Sequence, residues 1–176
     1  MLEQLKYPIG KFELPTQVNY EQTLKNIEVI SEFPQKLKEA VLVVGDSRID
    51  QPYRPEGWSV RQLVHHCADS HLNSICRFKL ALTEDRPTIK TYEEGEWAKL
   101  VDYQLPVSVS LQLLEALHLR WTALLKSFTP KDLKTEFIHP GFGGAMNLEI
   151  AIALYAWHCQ HHLAHVTELI KRENWS

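Results

Sequence analysis

The sequence lacks an excess of charge of either sign, a long hydrophobic run and a secretion signal. Its 19 basic and 22 acidic residues give a formal net charge of -3, so it has no basic field to hold a phosphate backbone or an anionic membrane. The hydrophobic runs are short and interrupted by charged residues, which argues against a bilayer-spanning helix. Residues 1–6 show no basic-then-apolar pattern. We therefore expect a cytoplasmic protein that binds neither nucleic acid nor membranes.

Cysteine is also scarce, and the three copies, Cys67, Cys76 and Cys159, fall within apolar helical stretches. An odd number of cysteines in such positions suits reduced thiols better than a disulfide framework. The chain has no repeat, low-complexity tract or linker, and 176 residues can bury most of the surface that the unfolded chain exposes. We expect one domain over residues 1–176.

Strand-like alternation is almost absent, whereas apolar residues recur at helical spacing in four long segments. Ser59 and Gln62 form a capping-box pattern at the start of the second segment, and Asn147 can cap the fourth. Pro34 lies inside the first segment, where we expect a kink or a restart of the helix. The predicted helices cover about residues 20–44, 60–82, 108–128 and 148–171.

The connections between these helices differ greatly in length. Roughly 25 residues, which include Pro87, a short helix near residues 93–100 and Pro106, cross between the second and third helices, and this is too long for a tight turn. Residues 140–144 suit a turn or a short hairpin, and residues 1–18 have no sustained periodicity. We expect an all-α fold, an antiparallel four-helix bundle with one long crossover and an N-terminal extended arm laid over the domain.

Four of the nine histidines lie within residues 158–165 of the last predicted helix. His158 and His162 are four residues apart, which places both on one helical face, inside the apolar stripe. His161 and His165 fall at the margin of that stripe. Burial of two imidazoles costs desolvation twice, and one divalent cation would give both a partner. The alternative is a pair of core histidines satisfied by hydrogen bonds. It stays open because the chain lacks the His-Glu-x-x-His motif, which is a more specific signal for a metal.

A third metal ligand would have to come from another helix. The adjacent His65 and His66 lie on the second helix, with His71 further along it, while His118 and His139 lie elsewhere. Periodicity does not choose between His65 and His66, because they flank the apolar stripe of that helix by similar angles. Three histidines with an open coordination position are typical of catalytic rather than structural zinc.

Several motifs of the chain resemble those of the YfiT-like family, which belongs to the DinB-like superfamily. The likeness spans nearly the whole chain, although Cys159-Gln160 and the glycine-rich turn at residues 141–145 depart from the family pattern. The motifs that carry it are Tyr7-Pro8-Ile9-Gly10, residues 57–71 from Gly57-Trp58-Ser59 to Asp69-Ser70-His71, Arg120-Trp121-Thr122-Ala123-Leu124-Leu125, Tyr155-Ala156-Trp157-His158 and His161-His162-Leu163-Ala164-His165.

The resemblance implies a four-helix bundle that forms a homodimer and holds one divalent metal ion, zinc or nickel, in each subunit. Matched by motif, the implied ligands are His66, His158 and His162. It also implies a metal-dependent hydrolase that acts on a small-molecule substrate, although related DinB-like proteins resemble transferases that attach a low-molecular-weight thiol of the bacillithiol type to electrophiles.

Three functions are compatible with such a site. In a hydrolase the metal would acidify a bound water, and in a thiol S-transferase it would hold a thiol cofactor as thiolate. The transferase predicts cationic side chains at the mouth of a groove, for which Arg61, Arg77 and Arg120 are candidates. A third hypothesis is a non-catalytic binding module with the metal as a staple, which requires a fourth protein ligand such as His65, His161 or Asp69.

Some polar residues near the histidines suggest weaker roles. Asp69 lies about one turn beyond His66, where a carboxylate could orient a metal-bound imidazole or merely face solvent. Glu149 and Glu168 are candidate proton carriers, but both suit solvated helix charges better. The sequence therefore assigns no general base and no catalytic residue beyond the metal ligands.

Overall fold

Four long helices form a bundle in the computed structural model, which describes residues 2–15 and 19–176. Two short helices and a two-stranded hairpin lie outside the bundle. No helix in the described ranges is long and apolar enough to cross a membrane. The helices are α1 (Leu2–Lys6), α2 (Tyr20–Val44), α3 (Val60–Thr83), α4 (Glu94–Trp97), α5 (Val107–Lys126) and α6 (Leu148–Arg172), and the strands are β1 (Glu136–His139) and β2 (Gly144–Asn147).

The predicted capping residues start two of the bundle helices. The Ser59 hydroxyl accepts a hydrogen bond from the Gln62 amide at 3.1 Å, and the Gln62 side chain accepts one from the Ser59 amide at 3.0 Å, so the capping box at α3 is complete. Asn147 caps α6 in the same way, accepting from the Ile150 amide at 2.9 Å. Each cap satisfies a backbone donor that the first helical turn leaves free.

Pro34 does not restart the first long helix, because α2 runs without a break from Tyr20 to Val44. A proline has no N–H and so leaves the carbonyl of the residue four positions earlier without its helical partner. In α2 that carbonyl belongs to Ile30, and it accepts a hydrogen bond from Nδ1 of His118 at 2.7 Å. The side chain from α5 therefore replaces the missing helical bond.

The long crossover leads to a helix that runs parallel to its neighbour. His65 and Ser110, each near the start of its helix, are hydrogen-bonded, and so are His71 and His118 further along both helices. These contacts show that α3 and α5 point in the same direction. Because α5 begins beside the start of α3, the crossover of residues 84–106 has to return along the whole length of α3.

The remaining neighbours fix the direction of the other helices. α3 and α6 are antiparallel, because Arg77 near the end of α3 contacts Tyr155 in the first half of α6. α2 and α6 are parallel, since Thr23 and Glu149 meet near their starts and other side chains of both helices share a groove near their ends. α2 therefore opposes α5. The expected antiparallel order holds for two of the four adjacent pairs, and the other two pairs are parallel.

The N-terminal arm packs over α6, as expected, but its start is helical rather than extended. α1 occupies Leu2–Lys6, and the chain then continues to Pro15 without regular structure. Trp157 of α6 donates a hydrogen bond from Nε1 to the Gly10 carbonyl at 3.2 Å, which anchors the arm. Residue 1 and residues 16–18 of the predicted arm lie outside the described residues.

The glycine-rich segment forms the short hairpin that was one of two expectations for it. β1 and β2 pair antiparallel, and the turn between them ends at Gly143, whose φ of 75° favours glycine. The crossover is fixed to this hairpin, because Ile138 exchanges backbone hydrogen bonds with Pro87 and Ile89. The hairpin and the crossover thus form one wall beside the bundle.

Candidate metal centre

The structure brings His66 of α3 together with His158 and His162 of α6. One ligand atom from each lies within 4.8 Å of those of the other two. The ring centroids are 5.5 Å apart for His66 and His158, 4.9 Å for His66 and His162, and 4.4 Å for His158 and His162. The i, i+4 spacing on α6 supplies two imidazoles on one face, and the antiparallel α3 supplies the third.

His65 faces away from this cluster although it is the neighbour of His66. Its Nδ1 is hydrogen-bonded to the Ser110 hydroxyl at 2.7 Å, and its Nε2 to the Leu105 carbonyl at 3.1 Å. Both ring nitrogens of His65 are therefore occupied by α5 and the segment before it. Periodicity left open whether His65 or His66 belongs to the cluster. In the structure His66 lies inside it and His65 lies outside it.

The three clustered imidazoles fit a divalent cation. Burial lowers the pKa of His66 to about 4 and the pKa values of His158 and His162 well below the usual range, so all three rings are neutral at pH 7 and able to donate a lone pair. Nδ1 of His66 and Nδ1 of His162 are buried and have no hydrogen-bond partner among the described residues. Neutral imidazole nitrogens are common ligands of divalent zinc, so the donor set of the cluster suits such an ion.

A chain of hydrogen bonds supports His158 from behind. Nδ1 of His158 lies 3.1 Å from Nε2 of His71, and Nδ1 of His71 lies 2.7 Å from Nε2 of His118. Nδ1 of His118 reaches the Ile30 carbonyl that Pro34 leaves free. We call His118, His71 and His158 the histidine relay.

The relay fixes which nitrogen of each ring carries the proton. Burial lowers the pKa of His118 to about 4 and that of His71 well below its usual value, so both are neutral at pH 7. A carbonyl can only accept, so Nδ1 of His118 donates to Ile30 and its Nε2 accepts from Nδ1 of His71. By the same rule Nε2 of His71 accepts from Nδ1 of His158. Nε2 of His158 is left with its lone pair, which faces the Ser70 hydroxyl at 3.4 Å and would be the atom that binds a metal.

A cavity of about 420 Å³ opens over the three-histidine cluster. His161 and His165, which the projection placed at the margin of the stripe, line this cavity outside the cluster, with their Nε2 atoms 3.1 Å apart. His161 stacks on Trp157 with ring centroids 4.5 Å apart. Burial lowers the pKa of His161 to about 4 and that of His165 to about 3. We call this space the first cavity; it is also lined by Lys6, Tyr7, Tyr53, Arg54, Glu56, Trp58 and Glu94.

A second cavity, of about 480 Å³, lies on the other side of His158. The two cavities share His158, Trp157 and Glu94 as lining residues. The far wall of the second cavity is the hairpin and crossover described above. The cluster therefore has space on two sides, one side covered by the N-terminal arm and the other by the hairpin.

The other predicted polar residues have partners of their own. Asp69 accepts a hydrogen bond from the Tyr103 hydroxyl at 2.7 Å, so it neither orients His66 nor simply faces solvent. Glu149 pairs with Lys134 on the far side of α6. Neither carboxylate belongs to the cluster or lines either of the two cavities.

The three predicted arginines differ in position. Arg61 pairs with Asp50 at 2.7 Å, Arg120 is exposed, and neither lines the two cavities. Arg77 alone lines one of them, the second cavity. Glu168, the remaining candidate proton carrier, lies 3.8 Å from Lys171 and outside both cavities.

Sequence reasoning missed the residues that the segments outside the four-helix bundle bring to the site. Glu94 comes from the crossover, Arg54 from the connection between α2 and α3, and Lys6 from the arm. Short helices and irregular segments have too little periodicity to predict the direction in which their side chains point. The one available signal was the length of the crossover, because long connections in compact domains are often functional.

The chain is similar to known proteins over nearly its whole length. Residues 30–166 match the model of the DinB superfamily. The chain is 50% identical over 173 residues to "Putative metal-dependent hydrolase YfiT" of Bacillus subtilis (strain 168), covering 98% of this chain and 97% of that protein. It is 49% identical over 167 residues to "Putative metal-dependent hydrolase BH0277" of Halalkalibacterium halodurans, covering 95% and 97%.

A solved structure extends the likeness to three dimensions. The Bacillus subtilis YfiT structure superposes with a TM-score of 0.94 at 50% identity, covering 98% of this chain and 99% of that one. It is described as a probable metal-dependent hydrolase with an unusual four-helix bundle topology. Two parallel and two antiparallel neighbouring pairs are the bundle topology found in the present structure.

Proposed function

The chain belongs to the DinB superfamily, and on this basis we propose that it is a metal-dependent hydrolase whose divalent ion is held by His66, His158 and His162. The observation that carries the proposal is the convergence of three neutral imidazoles, two buried and one partly buried, beside two cavities. Zinc or nickel suits imidazole ligands. A cytoplasmic homodimer that acts on a small molecule is part of the same proposal.

A purely structural role for the ion is disfavoured. Structural zinc is nearly always closed by four protein ligands. In the described part of the chain the cluster comprises three residues, and two of the candidates for a fourth ligand are engaged elsewhere, His65 with Ser110 and Asp69 with Tyr103. An open position next to a cavity favours chemistry over a staple.

The residues of the chain would divide the work of hydrolysis between them. The ion, when bound, supplies a Lewis acid that acidifies water and polarises a carbonyl oxygen. The histidine relay holds His158 in the tautomer that presents Nε2. Glu94, which lines both cavities, is placed to accept a proton from the attacking water. Its surroundings partly desolvate the carboxyl and Glu93 adds a negative charge, so the pKa of Glu94 is raised, which suits a general base.

Thiol transfer is the second candidate function, because the first cavity is lined by two cationic side chains. Lys6 and Arg54 border the space above the three histidines, together with Glu56 and Glu94, and a thiol that carries both carboxylates and an amine would need charges of both signs. The metal would then hold sulfur as thiolate, the nucleophilic form. None of the three cysteines of the protein lines either cavity.

One experiment separates the two functions. The zinc-loaded and nickel-loaded chains are incubated with activated esters and with an epoxide, each in the presence and absence of bacillithiol, and products are identified by mass spectrometry. Hydrolysis that needs the metal but no thiol is the expected result. Conjugation to the thiol without hydrolysis would exclude the hydrolase and favour the transferase.

A further inference from the structure

Arg77 carries a charge that the described part of the protein does not neutralise. Its guanidinium has three partners, Nε2 of His139 at 3.4 Å, the Tyr155 hydroxyl at 3.5 Å and the Lys90 carbonyl at 3.3 Å, and none is a carboxylate. All three contacts lie beyond the usual hydrogen-bond distance. Nε of Arg77 is buried and has no hydrogen-bond partner among the described residues. A partly buried cation with such weak compensation favours the binding of an anion.

Within residues 2–15 and 19–176, two further polar groups of the same cavity lack partners. Ser74 lies one helical turn before Arg77 on α3, is fully buried, and its hydroxyl makes no hydrogen bond to the described residues. His139 points Nε2 at the guanidinium, and burial together with the charge of Arg77 lowers its pKa, so the neutral ring carries its proton on Nδ1, where no acceptor is found. Buried polar groups are normally satisfied, and unsatisfied ones that line a common space indicate a missing partner.

Most of the remaining lining of the second cavity is apolar or aromatic, and its other polar residues are Ser70, Thr91, Glu94 and His158. At about 480 Å³ it has the size of a small-ligand site. A molecule that filled it would bury an alkyl or aryl body and place one charged end against Arg77. The apolar lining consists of Phe78, Phe137, Phe142, Met146 and Leu154, with Tyr155.

We propose that the second cavity binds a largely apolar small molecule through one carboxylate, or a comparable monoanionic group, that pairs with Arg77. Because His158 lines the same cavity, a ligand seated there would have its opposite end beside the three-histidine cluster. The substrate class that follows is a mono-anionic ester or amide with an apolar body, and this part of the proposal rests on the proposed hydrolase. The binding of a carboxylate by Arg77 does not depend on that function.

Calorimetry with a matched pair of probes tests the binding site. The zinc-loaded chain is titrated with 4-phenylbutyrate and with the neutral 4-phenylbutyramide, and the titration is repeated without zinc. We expect the carboxylate to bind at least tenfold more tightly than the amide, with or without the metal. Arg77→Gln should weaken carboxylate binding at least tenfold and leave the amide unchanged, because it removes a charged hydrogen bond. Arg120→Gln, an exposed arginine outside both cavities, is the matched control.

A second variant keeps the test decisive if Arg77→Gln fails to fold. Thr91 lines the cavity from its exposed side, so Thr91→Trp should fill the space and abolish binding of both probes. Carboxylate affinity that disappears without zinc but survives Arg77→Gln would overturn the proposal, because the metal would then be the binding site. Carboxylate binding through Arg77 in a chain that hydrolyses no ester would support this site and refute only the hydrolase.

Discussion

The imidazole of His158 is positioned by a hydrogen-bond chain that begins at a backbone carbonyl in another helix. Pro34 leaves the Ile30 carbonyl free, His118 donates to it, and His71 connects His118 to His158. Through its effect on the backbone of α2, Pro34 thereby influences which ring nitrogen of His158 on α6 carries the proton. Second ring nitrogens of metal-binding histidines are normally held in this way, most often by a carboxylate or a carbonyl.

The relay predicts that a residue outside the cluster controls metal affinity. His71→Leu removes the acceptor for Nδ1 of His158, so zinc affinity should fall about 10-fold, the lower end for loss of such a partner. Affinity is measured by competition with a fluorescent chelator. His65→Leu is the matched control, because His65 is also a buried histidine of the same helix but bonds only to Ser110 and Leu105. Equal losses in the two variants would refute the relay.

Substitution of Glu94 should lower the rate of hydrolysis without changing metal binding. Glu94→Gln keeps the size of the side chain but cannot accept a proton, so kcat for ester hydrolysis should fall about 100-fold, as is typical for loss of a general base. Metal content should not change, since Glu94 is outside the three-residue cluster. Glu96→Gln serves as control, because Glu96 lies on the same short helix, pairs with the exposed Lys99 and lines neither cavity. A Glu94→Gln variant with the kcat of the parent chain would exclude this role.

At the scale of the helices, the caps explain why boundaries were predictable. Ser59, Gln62 and Asn147 act on backbone groups within three residues of themselves, and such local signals can be recognised in a sequence. The direction of α5 relative to α3 was not predictable in this way. It depends on contacts across the bundle, for example those between His65 and Ser110.

The capping box of α3 predicts a measurable contribution to stability. Ser59→Ala removes the acceptor for the Gln62 amide, so the free energy of unfolding should fall by about 1 kcal/mol in urea titrations. Ser127→Ala should change it by less than about 0.5 kcal/mol, because the Ser127 hydroxyl is exposed and bonds only to the Leu124 carbonyl one turn earlier. Equal effects of the two substitutions would mean that the cap contributes nothing.

The choice of His66 over His65 shows how far a single helix can be interpreted from its sequence. Both residues flank one apolar stripe, and both are buried in the structure. What separates them is the set of acceptors that α5 and the preceding segment offer to His65. Only the family resemblance selected His66 from the sequence. Glu94 and Arg54 could not be assigned from the sequence for a related reason, because segments outside the bundle carry them to the site.

At the scale of the whole molecule, burial lowers the pKa of all nine histidines. The unfolded chain takes up protons as the pH falls through about 6.5, whereas the folded chain resists protonation until a lower pH. Between these values the unfolded state binds more protons, so stability must fall as the pH falls. A fold built around neutral histidines is therefore sensitive to acid.

This linkage predicts the pH dependence of folding. With the pKa of His118 at about 4, that residue alone should remove about 2 kcal/mol of unfolding free energy between pH 7 and pH 5. Urea denaturation of the zinc-free chain at the two pH values measures the loss, which should be at least this large. His118→Asn should reduce the difference between the two values. A free energy of unfolding that is the same at both pH values would contradict the buried, neutral state of the histidines.

The proposed function depends on one divalent ion held by three histidines from two helices. Elemental analysis of the zinc-reconstituted and desalted chain measures that ion, with folding checked by circular dichroism. We expect one ion per chain for the parent protein and for His65→Ala, and a near-complete loss of metal for the folded variants His66→Ala, His158→Ala and His162→Ala. Full metal content in those three variants would refute the three-histidine site.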